Sequence, residues 1–314
     1  MFGPAKSLKV HLLTAGLRFG TPLFLVLLVA ATQQPKKMSA EPRRNVLVLS
    51  TAGVPAYAEA IQGIREELAK GGPTIYVEQR DGVPNASAFT GTRLVIAVGG
   101  DAFKAALRSH ISAPIVATMV TRAELTEAGH RYAGAVSVDI SLRDVLASVR
   151  RLFPSRNRIG ILRDTALDSD AVLAKARQQG FTMEVLDCVK PDELLRSIPT
   201  LRNKIDFLLS RPDSHLFNSS TANPILLSAL QNRLPLIGFS ESFVRAGAAV
   251  GVYPDYRRAG VQTAVMAKRV MGGDSRSIEA PKAISVAVNG RVLGLLALDY
   301  RRARTGRGEL VVLR

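Results

Sequence analysis

Charged and hydroxyl residues in this chain gather where short apolar runs end. Arg211 and Asp213 sit two residues apart after Phe207–Ser210, and Ser240-Glu241 follow Leu236–Phe239. Tyr253-Pro254-Asp255 closes the run Ala248–Val252. Arg211 and Asp213 suit a ligand that carries both an anionic group and an ammonium, because each finds an opposite charge there. Pro212-Asp213 is also good turn chemistry, and a local salt bridge is the other use of the pair. Ser50-Thr51-Ala52-Gly53 and Gly99-Gly100-Asp101 repeat the arrangement earlier in the chain. Thr51 either hydrogen-bonds a ligand or caps the helix that follows. The paired glycines let backbone N–H groups approach a ligand at a helix N-terminus, with Asp101 as a contact or as the N-cap. Asp164 follows the run Arg158–Leu162 in the same way.

None of these groups composes a catalytic set. Gly238-Phe239-Ser240-Glu241-Ser242 begins like a nucleophile elbow, but Ser242 stands where that motif needs glycine. His11, His110, His130 and His215 have no metal-ligand spacing. Gly99-Gly100 lacks the remaining glycine of a dinucleotide fingerprint and the lysine of a P-loop. No pair of carboxylates stands out for glycosidase chemistry. Cys188, the single cysteine, follows a strand-like run and reads as a half-buried, inert thiol. These are binding tips, with no enzyme, metal or cofactor expected.

The elements that position them alternate. Asn45–Ser50, Thr74–Glu78, Leu94–Val98 and Ile115–Met119 read as strands, with helices over Pro55–Lys70 and Ala102–Ser109. The theme restarts after residue 138, with helices over Leu142–Phe153, Asp168–Gln179, Thr221–Asn232 and Arg257–Met271. Strands there are expected at Arg158–Leu162, Thr182–Leu186, Phe207–Ser210, Leu236–Phe239, Ala248–Tyr253 and Ser285–Asn289. Apolar runs bounded by turn signals are strands covered on both faces of a parallel sheet. The pattern occurs twice, so two α/β lobes are expected. In such sheets ligands sit beyond the carboxyl ends of the strands, which here would face one cleft.

Lys6, Lys9 and Arg18 precede the apolar run Leu23–Ala31, with small residues before Thr32. This reads as an export signal over 1–31 followed by a linker over 32–44; an uncleaved inner-membrane anchor is the alternative. The formal net charge is +16. Its arginines are spread along the chain and join no helix-turn-helix, zinc finger or aromatic-basic motif. The charge is read as a solvated or lipid-facing surface, not a nucleic-acid site.

Particular residues carry a family likeness. Pro212-Asp213-Ser214, Asn223-Pro224-Ile225-Leu226, Leu234 through Ser240 and Arg245-Ala246-Gly247-Ala248 resemble the ABC transporter substrate-binding protein family, whose better-known members bind aromatic amino acids. Ser285–Asn289 before Leu293-Gly294 resembles its terminal strand and helix. The likeness runs over residues 45–298 and is specific in 207–260. It implies a two-lobed periplasmic-binding-protein fold of type I, with crossovers near Ala135–Asp139, Val250–Asp255 and Ala280–Ile284. Lobe one is then 45–136 plus 255–280, lobe two 139–250 plus 284–299, and 300–314 a basic tail. Amino-acid importers of the family carry a His-containing tip after strand one and Asp-Pro after strand four; Pro55 and Tyr57, and Val120-Thr121-Arg122, stand there instead.

The expected protein is an exported, periplasmic, monomeric binding protein. It holds a small polar ligand through Thr51, Asp101, Asp164, Arg211, Asp213, Ser240 and Asp255. It delivers that ligand to an inner-membrane ABC permease; a membrane sensor protein is the alternative partner.

Overall fold

A computed structural model describes residues 46–70, 75–79, 89, 91–162, 169–188, 190–213, 216–218, 220–300 and 310–313. The expected leader, the linker and Asp164 lie outside these residues, as does most of the basic tail.

The first sheet is parallel throughout, in the order β11-β5-β4-β3-β1-β2. Its strands are β1 (Val46–Ser50), β2 (Ile75–Gln79), β3 (Leu94–Val98), β4 (Ile115–Val120), β5 (Gly134–Ser137) and β11 (Ser277–Glu279). The second sheet runs β13-β12-β10-β9-β8-β6-β7. It comprises β6 (Arg158–Leu162), β7 (Thr182–Leu186), β8 (Phe207–Leu209), β9 (Leu236–Gly238), β10 (Val250–Pro254), β12 (Ile284–Asn289) and β13 (Leu310–Leu313). Among the described residues only the β10–β12 pair is antiparallel. β1, β3, β4 and β10 are buried along their whole length, as strands covered on both faces must be.

The chain passes between the sheets three times: after β5, after β10 and between β11 and β12. Hydrogen bonds fix these passages. The buried Asp139 carboxylate accepts the Arg122 backbone N–H at 2.7 Å. Arg211 donates to the Ile140 carbonyl at 2.9 Å. The Gln262 amide donates to the Ala280 carbonyl and accepts the Lys282 N–H, both at 3.0 Å.

Two helices join the halves. α1 (Pro55–Leu68) follows β1, and α9 (Tyr256–Met271) leaves β10 to return to the first sheet. They touch backbone to backbone: a Cβ at Gly63 would lie 1.9 Å from the Arg257 carbonyl oxygen, and one at Gly260 1.9 Å from that of Ala60. Ion pairs flank the contact, with Arg257 Nε on Glu66 and Lys268 Nζ on Glu67, each at 3.0 Å. One apolar cluster is continuous from Ile64 and Ile96 of the first half to Leu208 and Ile225 of the second.

Several elements exceed the sequence expectation. α3 (Arg122–Ala128), α6 (Pro191–Leu201), β5, β11 and β13 were not anticipated. The others among these are short or carry internal proline, and β13 lies in the basic tail, where only its pairing with β12 makes it a strand.

Gly260→Ala should therefore lower stability by about 3 kcal/mol, since backbone cannot yield to a new methyl as a flexible side chain can. Gly294→Ala is the control. It adds a Cβ in the helix α10 (Gly290–Leu295) with nothing within 4 Å, and should be neutral or slightly stabilising. Denaturant titration checks both; an unchanged midpoint for Gly260→Ala would mean that the helices do not meet at this depth.

Candidate functional site

The carboxyl ends of β1 and β3 are shaped by side chains from neighbouring tips. Tyr57, in the first turn of α1, reaches over Gly99, whose φ is 94°. Its ring lies 2.5 Å from where a Cβ on Gly99 would stand, and Glu124 Oε1 lies 2.1 Å from the equivalent point on Gly100. Gly99-Gly100 is thus required by Tyr57 and Glu124. Gly99 itself is the cap of α2 (Gly100–Arg108), and Asp101 is an exposed residue in its first turn. Glu124 is anchored by a capping box with Thr121, accepting the Thr121 N–H at 2.8 Å. Burial, and then the Asp101 and Glu124 carboxylates, push the Tyr57 phenol above its ordinary pKa.

On the second sheet, Ser240 caps α8 (Glu241–Ala246), its hydroxyl accepting the Phe243 N–H at 3.1 Å. Asp255 caps α9 by accepting the Arg258 N–H at 2.9 Å. Glu241 accepts from Arg245 Nε at 3.0 Å and from the Tyr253 hydroxyl at 3.5 Å. Tyr253 stacks on Tyr256 with centroids 5.4 Å apart. Burial first, then the nearby carboxylates, raises both phenols far above their ordinary pKa. Phe239, at the tip of β9, stacks on Phe243 at 4.9 Å and meets Phe217 at 5.7 Å.

One further carboxylate, the exposed Glu59, bears on these tips. This residue sits in the first turns of α1, and its carboxyl is pushed upward by partial burial and then by Glu241 and Asp255 facing it. Glu59, Glu241 and Asp255 thus act on one another electrostatically, with Glu241 paired to Arg245 and Asp255 lying 3.6 Å from Arg258. In a chain of net charge +16 this is a local grouping of carboxylates, with the Tyr253 and Tyr256 rings buried beneath it. Carboxylates so placed attract an ammonium, and the half-buried Phe239 offers a ring edge for an apolar body.

The residues expected from sequence take several roles. Asp101 stands beside Tyr57, while Ser240 and Asp255 flank Glu241 and Glu59. Thr51 is half-buried, and its carbonyl accepts from the Ser50 hydroxyl at 3.2 Å. The Asp213 carboxylate accepts the Leu216 N–H at 3.2 Å, the turn role open to it from sequence. Arg211 is 6% exposed and holds the first crossover through Ile140. The sequence reading passed over Glu59, Tyr253 and Tyr256 as site residues. Their signal was position: Tyr253 and Tyr256 stand at the end of β10 and the start of α9, and Glu59 in the second turn of α1.

Glu59→Gln should raise the melting temperature at pH 7.5. Ionised Glu59 opposes Glu241 and Asp255 only in the folded state, so the variant's gain exists above the folded pKa. It should shrink as pH falls and vanish below about pH 4, where the carboxyl is protonated folded or unfolded. Melts across pH check the sign; a variant less stable at pH 7.5 would contradict the placement.

Comparison with known proteins adds the following. The family model described as ABC transporter substrate binding protein matches residues 78–290. A tyrosine-binding protein of Clostridioides difficile is 24% identical over 270 residues, covering 78% of this chain and 77% of that one. Among solved structures, a ligand-free, open substrate-binding protein with adhesive properties from Clostridium difficile is 20% identical. It has a TM-score of 0.62, over 86% of this chain and 100% of that chain. An ABC domain from Streptococcus pneumoniae in complex with L-Trp is 18% identical, with a TM-score of 0.58 over 86% of this chain and 100% of that one. The fold is the two-lobed α/β architecture of type I periplasmic binding proteins, its parallel sheets flanked by helices.

Proposed function

The chain belongs to the ABC transporter substrate-binding protein family, and from that premise we propose that it captures a small aromatic amine, of the amino-acid class, between its lobes and delivers it to an inner-membrane permease. Family and relatives are substrate-binding proteins, not enzymes, and binding of a small ligand follows from that membership. The observation that carries the finer reading is the mutual influence of the Glu59, Glu241 and Asp255 carboxylates at the starts of α1, α8 and α9, with the half-buried Phe239 at the tip of β9. The acids take the ammonium, and Phe239 takes the aromatic body, over a floor set by the buried Tyr253 and Tyr256. Tyr57 and Asp101 close the other side, and Ser240 supplies a hydroxyl at the rim.

The lobes of this reading are residues 45–136 with 255–280, and 139–250 with 284–299. Glu59 belongs to the first and Glu241 to the second. A ligand held by both favours the closed arrangement, and closure is what a permease reads. Thr51, Arg211 and Asp213 support the tips and the hinge in this scheme. Export to the periplasm by residues 1–31 is part of the same proposal and is supported by the family's habit.

Thermal-shift and calorimetric titration with L-tyrosine, L-tryptophan, tyramine and 3-phenylpropionate tests the ligand class. At 100 times Kd a bound ligand adds about 2.7 kcal/mol. The ammonium-bearing compounds should bind and phenylpropionate should not. Glu241→Gln should weaken them about tenfold or more, the loss of one charge-assisted contact. Binding of phenylpropionate as tight as that of tyramine would refute the acidic ammonium site.

A further inference from the structure

A cavity lies at the first crossover and shares no residue with the acidic site. It encloses about 430 Å³ between the first crossover, the α4 helix (Leu142–Leu152) and the α5 helix (Asp170–Gln178), with Arg122 and Ala280 at its edge. That volume lies within the range of about 300–1,000 Å³ typical of small-molecule sites. Its walls come from the β4 tip, two of the three crossovers and two helices of the second lobe.

The lining divides by chemistry. Ile140, Leu142, Leu146, Val172 and Ala176 form an apolar floor. Arg122, Arg143 and Lys175 supply cations at the rim. The one carboxylate of the lining, Asp139, is 5% exposed and already accepts the Arg122 backbone N–H at 2.7 Å. Arg143 lies 3.7 Å from Asp144, whereas Arg122 and Lys175 form no ion pair among the described residues. The rim is therefore electropositive above a greasy floor, the reverse of the acidic site at Glu59 and Glu241.

We propose that this pocket binds a small amphipathic monocarboxylate, its head held by Arg122 and Lys175 and its apolar body laid over Ile140, Leu146 and Val172. Charge excludes an ammonium, because the rim repels it. The floor excludes a fully hydrated anion such as sulfate or a sugar acid, because apolar contact would supply much of the affinity. The site does not depend on which ligand the acidic cluster takes.

Calorimetric titration of the full chain with decanoate, with decyltrimethylammonium as the control of equal tail and opposite charge, tests the proposal. Decanoate should bind once per chain, and the cation at least about tenfold more weakly. Lys175→Gln, on the exposed face of α5, should weaken decanoate about tenfold; with Arg122→Gln added, binding should be lost while the melting temperature is kept. Glu241→Gln should leave decanoate affinity unchanged. The proposal is overturned if decanoate gives no saturable heat, if the cation binds equally well, or if the folded double variant binds decanoate like the parent. A decanoate affinity that falls with Glu241→Gln also overturns it, because that places the anion in the other site.

Discussion

Backbone contact between α1 and α9 is the constraint on which the rest of the structure depends. Gly63 and Gly260 allow it, and no other residue type fits, because each would drive a Cβ into a carbonyl of the facing helix. α9 begins at the end of β10 in the second sheet and returns the chain to the first. Docking it on α1 fixes where the second sheet's last tip stands relative to the first sheet's first tip. Arg257 on Glu66 and Lys268 on Glu67 then set the register along the contact. They are surface pairs, and their part is orientation more than stability.

The chemistry follows from that docking. The first turns of α1 carry Tyr57 and Glu59, and the start of α9 carries Asp255 and Tyr256. Close packing brings these turns beside α8, whose first residue is Glu241. On the proposed reading, these acids stand where the lobes approach each other. In the proposed function, repulsion there opposes closure of the empty protein, and an ammonium between the acids removes it. The hinge itself is tied by neutral or internally paired groups: Gln262 on the third passage, Asp139 and Arg211 on the first. Motion of the lobes and recognition of the ligand are thus assigned to different residues.

Much of the scaffold was legible in the chain. Runs such as VLVLS at 46–50 and LVIAV at 94–98 have only one use in a sheet covered on both faces, and both are strands as read. The helix stop at Gly272 after α9 was equally plain, whereas α1 ends at Leu68, before the glycines expected to stop it. What escaped is short or depends on a distant partner. β5 is four residues opening on Gly134, where a Cβ would stand 2.8 Å from the Met266 sulfur, a contact no local pattern announces. β13 is apolar within a basic tail and is a strand because β12 offers it an edge. The site was legible at the level of strand tips. Which tip residue faces the other lobe was not, because Glu59 and Glu241 are far apart in sequence and their meeting is decided by Gly63 and Gly260. Arg211 shows the converse: its charge suggested a ligand contact, while its burial against Ile140 gives it a structural bond.

The most direct test of this account is a distance between the lobes measured with and without ligand. Spin labels at Lys104 on α2 and at Gln231, the last residue of α7 (Ala222–Gln231), both exposed, report it by pulsed electron resonance, with Cys188 replaced by serine. Saturating L-tyrosine should shorten and narrow the distance distribution in the parent. In a Glu59→Gln, Glu241→Gln double variant, the same ligand concentration should leave the open distribution in place. Closure of the double variant at the parent's ligand concentration, or binding in the parent without any change in distance, would contradict the claim that the ligand joins the lobes through these two acids.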